Sequence, residues 1–114
     1  IVTAKAYPRS SEVRSSVLKR AAGVCEHCRA AGFKTGSGAI YLETHHVVPL
    51  AEGGPDMEWN VLALCPNDHA RAHYGVDRDE LRQRFVCMLI EKFPAADQAL
   101  RSHVQSHHTG TSGP

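Results

Sequence analysis

Apolar residues recur at helical spacing early in the chain: Val13, Val17, Leu18 and Ala21 fall on one face. Ser10 and Ser11 suit an N-cap and Gly23 a stop, so the pattern predicts a helix over 11–22. Pro8 biases residues 1–10 toward extended chain. Residues 32–39 are rich in Gly, Ser and Thr and read as loop. Ile40 to Val48 is apolar and β-branched up to Pro49, which predicts a strand. Glu52-Gly53-Gly54-Pro55-Asp56 is a loop, and Asn60 to Leu64 predicts a second short strand. Pro66 suits the first turn of a helix that runs to about His73 and closes at Gly75. Asp77 or Asp79 caps a further helix to about Phe93, with Leu81, Phe85, Met88, Leu89 and Lys92 as its stripe. Pro94 stops it, Ala95 to about Ser106 forms one more short helix, and residues 107–114 read as a disordered tail.

The 114 residues are enough for one domain with a modest core. No apolar run is long enough to span a membrane. Ile1 to Ser11 has no basic flank leading into an apolar run, so no signal peptide is visible, and the expected location is the cytoplasm. With no initial Met, the expectation is a fragment of a longer chain, although simple trimming would look the same. Net charge is only +1, but its distribution is uneven. Residues 1–38 hold seven Lys/Arg against two acids, and residues 39–80 hold two against eight. An acidic centre beside a basic flank fits a cation site next to a surface that tolerates phosphates.

Four cysteines and eight histidines change the picture more. His69 and His73 are four apart on a predicted helix, so both rings can reach one ion. With His45 they offer three nitrogens and leave coordination positions for water and a phosphate oxygen, the open arrangement of a catalytic metal. A neutral imidazole near pH 7 can take a proton from water, which suits His46 as general base. Asn60 has no useful acidity, and its amide is suited to pinning the loop between the strands. Adjacent strand residues face opposite ways, so His45 and His46 can serve one site only if the strand bends there. Three imidazoles accept Zn²⁺, Ni²⁺, Co²⁺ or Mn²⁺, with Mg²⁺ a poorer match to nitrogen.

Cys25 and Cys28 form a C-x-x-C, and Cys65 opens a C-P-N-D-H run. Without a secretory signal this spacing argues for metal over disulfides. The expected structural zinc takes Cys25, Cys28 and Cys65, with Asp68 as fourth ligand and His27 as its rival. Cys87, among Phe85, Val86, Met88 and Leu89, reads as a buried thiol. Trp59 and Tyr74 read as packing residues near the site. Glu43 reads equally as a metal-site residue or a solvated strand residue, and Arg71 is a candidate phosphate contact.

Leu42-Glu43-Thr44-His45-His46-Val47-Val48-Pro49-Leu50-Ala51-Glu52-Gly53-Gly54, then Trp59-Asn60-Val61-Leu62-Ala63-Leu64-Cys65-Pro66-Asn67-Asp68-His69, resembles the HNH nuclease family, and the upstream C-x-x-C also fits. The resemblance covers about residues 13–75. It implies an α+β fold: a ββα-metal core of a two-stranded antiparallel hairpin plus helix, with flanking helices and a zinc knuckle. Residues 1–106 would then be the nuclease domain, with C-terminal helices at 77–106. The resemblance implies that His46, Asn60 and His69 name the family and that His45 is a metal ligand where many members have Asp. The His69–His73 pair is similar to the doubled ligand set of colicin-type nucleases. Asp68 departs from the family's second downstream Cys. The motif also resembles the C-terminal nuclease domains of bacterial restriction enzymes, including those that cut modified DNA, where a separate domain reads the base.

The expectation is a metal-dependent DNA endonuclease acting beside a further DNA-reading domain, with a homodimer left open. The competing readings are a zinc-dependent DNA-binding module without catalysis and an HNH-type toxin. A zinc protease would place Glu directly after the first His of a His-x-x-x-His pair, and here that residue is Ala70.

Overall fold

A computed structural model of the chain describes residues 9–103; the expected extended N-terminus up to residue 8 and the expected tail at 107–114 lie outside that range. Ser10 opens helix α1 (Ser11–Ala21), its side chain accepting from the Glu12 and Val13 amides. This satisfies two of the helix's orphan N–H groups. Ala22 ends α1 in a left-handed conformation with its N–H on the Leu18 carbonyl.

Strand β1 (Glu43–His46) pairs antiparallel with β2 (Val61–Leu64), with His45 opposite Leu62 and His46 opposite Val61. β1 is shorter than the apolar run from Ile40 to Val48. At its start Ile40 pairs with Lys34, and the Tyr41 amide donates to the Phe33 carbonyl, so residues 40–41 belong to a separate loop. At its end the partner strand turns into a 3₁₀ turn at Glu58–Asn60, and only the Val47 amide, on the Asn60 carbonyl, continues the ladder.

Helix α2 (Pro66–Tyr74) follows β2 directly, with Pro66 in its first turn as expected. Cys65 is its N-cap, the sulfur accepting from the Asp68 amide. Helix α3 (Arg78–Lys92) is followed by a 3₁₀ turn, Pro94–Ala96, and by α4, helical at 97–103. Among the described residues the architecture is α+β: one two-stranded antiparallel sheet with four α-helices around it.

All four residues of β2 are buried, because α1 packs on the sheet from one side and the helical C-terminal half covers the rest. Val17, Leu42, Leu81, Phe85, Leu89 and Leu100 complete the core. On α3 the buried stripe is Leu81, Phe85, Val86 and Leu89, while Met88 is only partly buried and Lys92 is exposed. Cys87 is exposed, contrary to its apolar sequence neighbours. Two positions beyond Phe85 on a helix is about 200° of rotation, which turns Cys87 away from the face Phe85 buries. Tyr74 is likewise 85% exposed at the end of α2, whereas Trp59 packs partly against the core.

Arg20 and Glu26 tie α1 to the sheet. Glu26 is buried; Oε1 accepts from the Ala63 amide (2.9 Å), and both of its oxygens take Arg20 (2.8 Å each). The Glu26 amide donates to the Ala63 carbonyl, so this residue satisfies the outer edge of β2. Arg20 also donates to the Val61 carbonyl. Among the described residues no helix is long and apolar enough to cross a membrane.

Candidate active site and metal centres

β1 and α2 bring His45, His69 and His73 together, with one nitrogen of each within 4.8 Å of the others. The i, i+4 spacing on α2 puts the His69 and His73 rings 4.9 Å apart, and His45 reaches them from the strand at 5.2 and 5.0 Å. His45 is buried against the edge of Phe85. Burial first, and the facing His69 and His73 next, push its imidazole down to about 3. Burial, followed by His69, lowers His73 as well. Both rings are thereby held neutral, the form that can ligate a metal.

Glu43 sits at the start of β1. Its Oε1 accepts from His69 Nδ1 at 2.6 Å and its Oε2 accepts from the Tyr41 hydroxyl at 2.7 Å. The Tyr41 hydroxyl and then His69 hold Glu43 below the usual carboxylate range. An ionised carboxylate only accepts, so His69 carries its proton on Nδ1 and its Nε2 is a lone pair. That Nε2 faces His73 Nε2 at 3.2 Å. Two nitrogens bound tetrahedrally to one zinc at 2.0–2.1 Å stand about 3.3 Å apart, so the donor set fits a divalent ion. Glu43 thus fixes which nitrogen His69 turns toward His45 and His73.

His45 and His46 line the same cavity of about 250 Å³, with His69, His73 and Arg9 around them. His45 and His46 are the last two residues of β1, and only the Val47 amide continues the ladder beyond them. The His46 ring turns to Asp56, with Nε2 at 2.8 Å from Oδ1. Asn60 is fully buried. Its Oδ1 accepts from the Val48 amide, and its Nδ2 donates to the Val48 and Pro55 carbonyls, all at 2.9 Å. One amide side chain thereby closes the loop that carries His46 and Asp56. Gly54 is required in that loop, because a Cβ there would lie 1.9 Å from the Val48 carbonyl oxygen.

Arg71 points elsewhere, pairing with Asp77 at 2.5 Å and Asp68 at 3.6 Å. The arginines that border the histidines are Arg9 on one side and Arg78 and Arg82 on the other.

The second cluster is Cys25, Cys28, Cys65 and Asp68, with one donor atom of each again within 4.8 Å. The C-x-x-C turn is closed by an isolated bridge between Val24 and Ala31 and by the Cys25 amide on the Ala30 carbonyl. Cys28 Sγ lies 3.8 Å from Cys65 Sγ, and Cys25 Sγ lies 3.3 Å from Asp68 Oδ2. Tetrahedral zinc with sulfur at 2.3 Å sets sulfurs about 3.8 Å apart, which these thiols match without a disulfide. Cys28 is held up at about 12: the Ala30 amide pulls downward, but Asp68, burial and the neighbouring Cys25 and Cys65 outweigh it. A cation relieves that crowding of anionic groups. His27 stands behind Asp68, with Nδ1 at 3.0 Å from Oδ2, and its ring meets the edge of Phe85 at 5.3 Å. Phe85 thus meets both His27, the partner of Asp68, and His45 of the histidine cluster.

One functional contact escapes the sequence. Asp56 lay inside a stretch read only as loop. Glu43 reads from the sequence equally as a metal-site residue or a solvated strand residue; its contact with His69 on α2 depends on how the helix packs on the strand.

Residues 25–75, spanning both clusters, match the HNH endonuclease family. Over that stretch the chain carries an HNH endonuclease domain. It is similar to the type IV methyl-directed restriction enzyme EcoKMcrA of Escherichia coli (strain K12), 44% identical over 78 residues. That match covers 68% of the chain and 28% of the relative. A probable mobile endonuclease B of Enterobacteria phage T4 is 36% identical over 53 residues, covering 41% of the chain and 20% of the relative. Among solved structures, the type IV phosphorothioation-dependent restriction endonuclease ScoMcrA superposes with a TM-score of 0.64 at 35% identity. It covers 83% of the chain and 19% of that protein. The modification-dependent TagI restriction endonuclease superposes at 0.54 with 38% identity, over 59% of the chain and 24% of TagI. The chain thus spans about a quarter or less of these relatives.

Proposed function

We propose that this HNH domain hydrolyses phosphodiester bonds in DNA with a divalent metal and is the catalytic unit of a restriction endonuclease. The observation that carries the reading is the convergence of His45, His69 and His73 beside His46 in one cavity. His45, His69 and His73 hold the ion. A bound divalent cation neutralises charge on the phosphate and on the leaving 3′ oxygen. His46 takes the proton of the attacking water; the electron pair left on that oxygen forms the new bond to phosphorus as the bond to the 3′ oxygen breaks. Asn60 keeps the His46 loop in place through its three hydrogen bonds. Arg9, Arg78 and Arg82 border the histidines and contact the backbone phosphates.

Cys25, Cys28, Cys65 and Asp68 would hold zinc, which would fix the N-terminus of α2 and so the placement of His69 and His73 on the same helix. Free thiols suit a reducing compartment such as the bacterial cytoplasm. Base reading falls to a further domain, in keeping with the small share of each relative that the chain matches. Metal-dependent cleavage of plasmid DNA by the chain, abolished by His46→Ala, tests the reading.

A further inference from the structure

We infer that Asp56 is a positioning residue that fixes the tautomer of His46, leaving Nδ1 as the nitrogen that takes the proton from water. The inference rests on the reading of His46 as general base and assigns the atom that acts.

Asp56 Oδ1 lies 2.8 Å from His46 Nε2. The other oxygen, Oδ2, accepts from the backbone amide of Ser10, the N-cap of α1. The carboxylate is therefore held at both ends, by a residue 46 positions away and by the histidine it orients. Burial alone would raise Asp56, but the Ser10 amide and then His46 outweigh it and hold the group below the usual carboxylate range. An ionised carboxylate cannot donate, so the shared proton belongs to His46 Nε2. A neutral imidazole has one N–H, and with Nε2 protonated the lone pair is on Nδ1. When the proton leaves water it goes to Nδ1, and the resulting imidazolium keeps Asp56 as its counter-charge.

The arrangement also ties the start of α1 to the base. Ser10 caps α1 through its side chain and grips Asp56 through its backbone, so one residue serves both helix and site. His46 and Asp56 side chains are 9% and 19% exposed, which shields their contact from competing water.

The test is long-range ¹⁵N–¹H correlation spectroscopy of the zinc-loaded 114-residue chain, with His46→Ala to assign the ring signals. The account expects His46 as the Nε2–H tautomer in the wild type. It expects Asp56→Asn to lose that preference and to slow cleavage at saturating protein by at least about tenfold, while DNA affinity stays unchanged. His46 carrying its proton on Nδ1 in the wild type overturns the inference, and needs no variant to fold. An inactive His46→Ala beside a fully active Asp56→Asn overturns this inference alone. A fully active His46→Ala overturns the general-base reading and this inference with it.

Discussion

Glu43 accepts a hydrogen bond from His69 Nδ1 at 2.6 Å while its other oxygen accepts from the Tyr41 hydroxyl. A strand carboxylate thus sets the orientation of a helix histidine 26 residues further on. The consequence is measurable without any catalytic assay. Glu43→Gln removes the charge that fixes the His69 proton on Nδ1 and frees the ring to present the wrong nitrogen. Affinity of the histidine site for Co²⁺ should fall about 10–100-fold. Visible absorption during Co²⁺ titration of protein with its cysteine site already filled reads it. An unchanged affinity would mean that the Glu43–His69 contact does not orient the ligand.

Asp68 is the oxygen donor beside three thiols, and its replacements should separate two roles. Asp68→Cys restores four thiols, and Co²⁺ bound at the knuckle should gain sulfur-to-metal absorption with the fold intact. Asp68→Ala removes a donor and strips His27 of its partner. Zinc affinity should then drop by at least about tenfold and the thermal midpoint should fall with it. Chelator competition with a colorimetric zinc reporter checks both. Wild-type zinc affinity in Asp68→Ala would remove Asp68 from the ligand set.

Glu26 is 5% exposed and meets both Arg20 and the outer edge of β2. Glu26→Ala leaves the Arg20 guanidinium and the Ala63 amide short of their partner. The expected loss is about 3–5 kcal/mol of unfolding free energy in urea titrations of the metal-loaded chain. A loss under about 1 kcal/mol would show that water replaces the carboxylate at no cost.

Legibility differed by the range of the interaction. The helices were readable because their signals are local: Ser10 before an apolar stripe, Pro66 at a first turn, Pro94 after a last one. The hairpin's existence was readable, but β1 was predicted too long, because nothing local tells that Ile40 pairs with Lys34. His45, His69 and His73 were expected together, since spacing four apart on a helix needs no knowledge of the fold. Asp56 was not legible at the site and Glu43 was left evenly between a site residue and a solvated one, because their partners are ten and 26 residues away in sequence. Cys87 misled for a different reason: apolar neighbours along a helix are not neighbours in space.

The most direct test of the central claim is cleavage of supercoiled plasmid by the chain. Metal-stripped protein is resupplied with Mg²⁺, Mn²⁺, Co²⁺, Ni²⁺ or Zn²⁺, and His46→Ala is run beside wild type. The account predicts nicking or linearisation that depends on metal and disappears in His46→Ala. DNA left intact with every metal, while both proteins bind it equally, would contradict the account and make the chain a DNA-binding module.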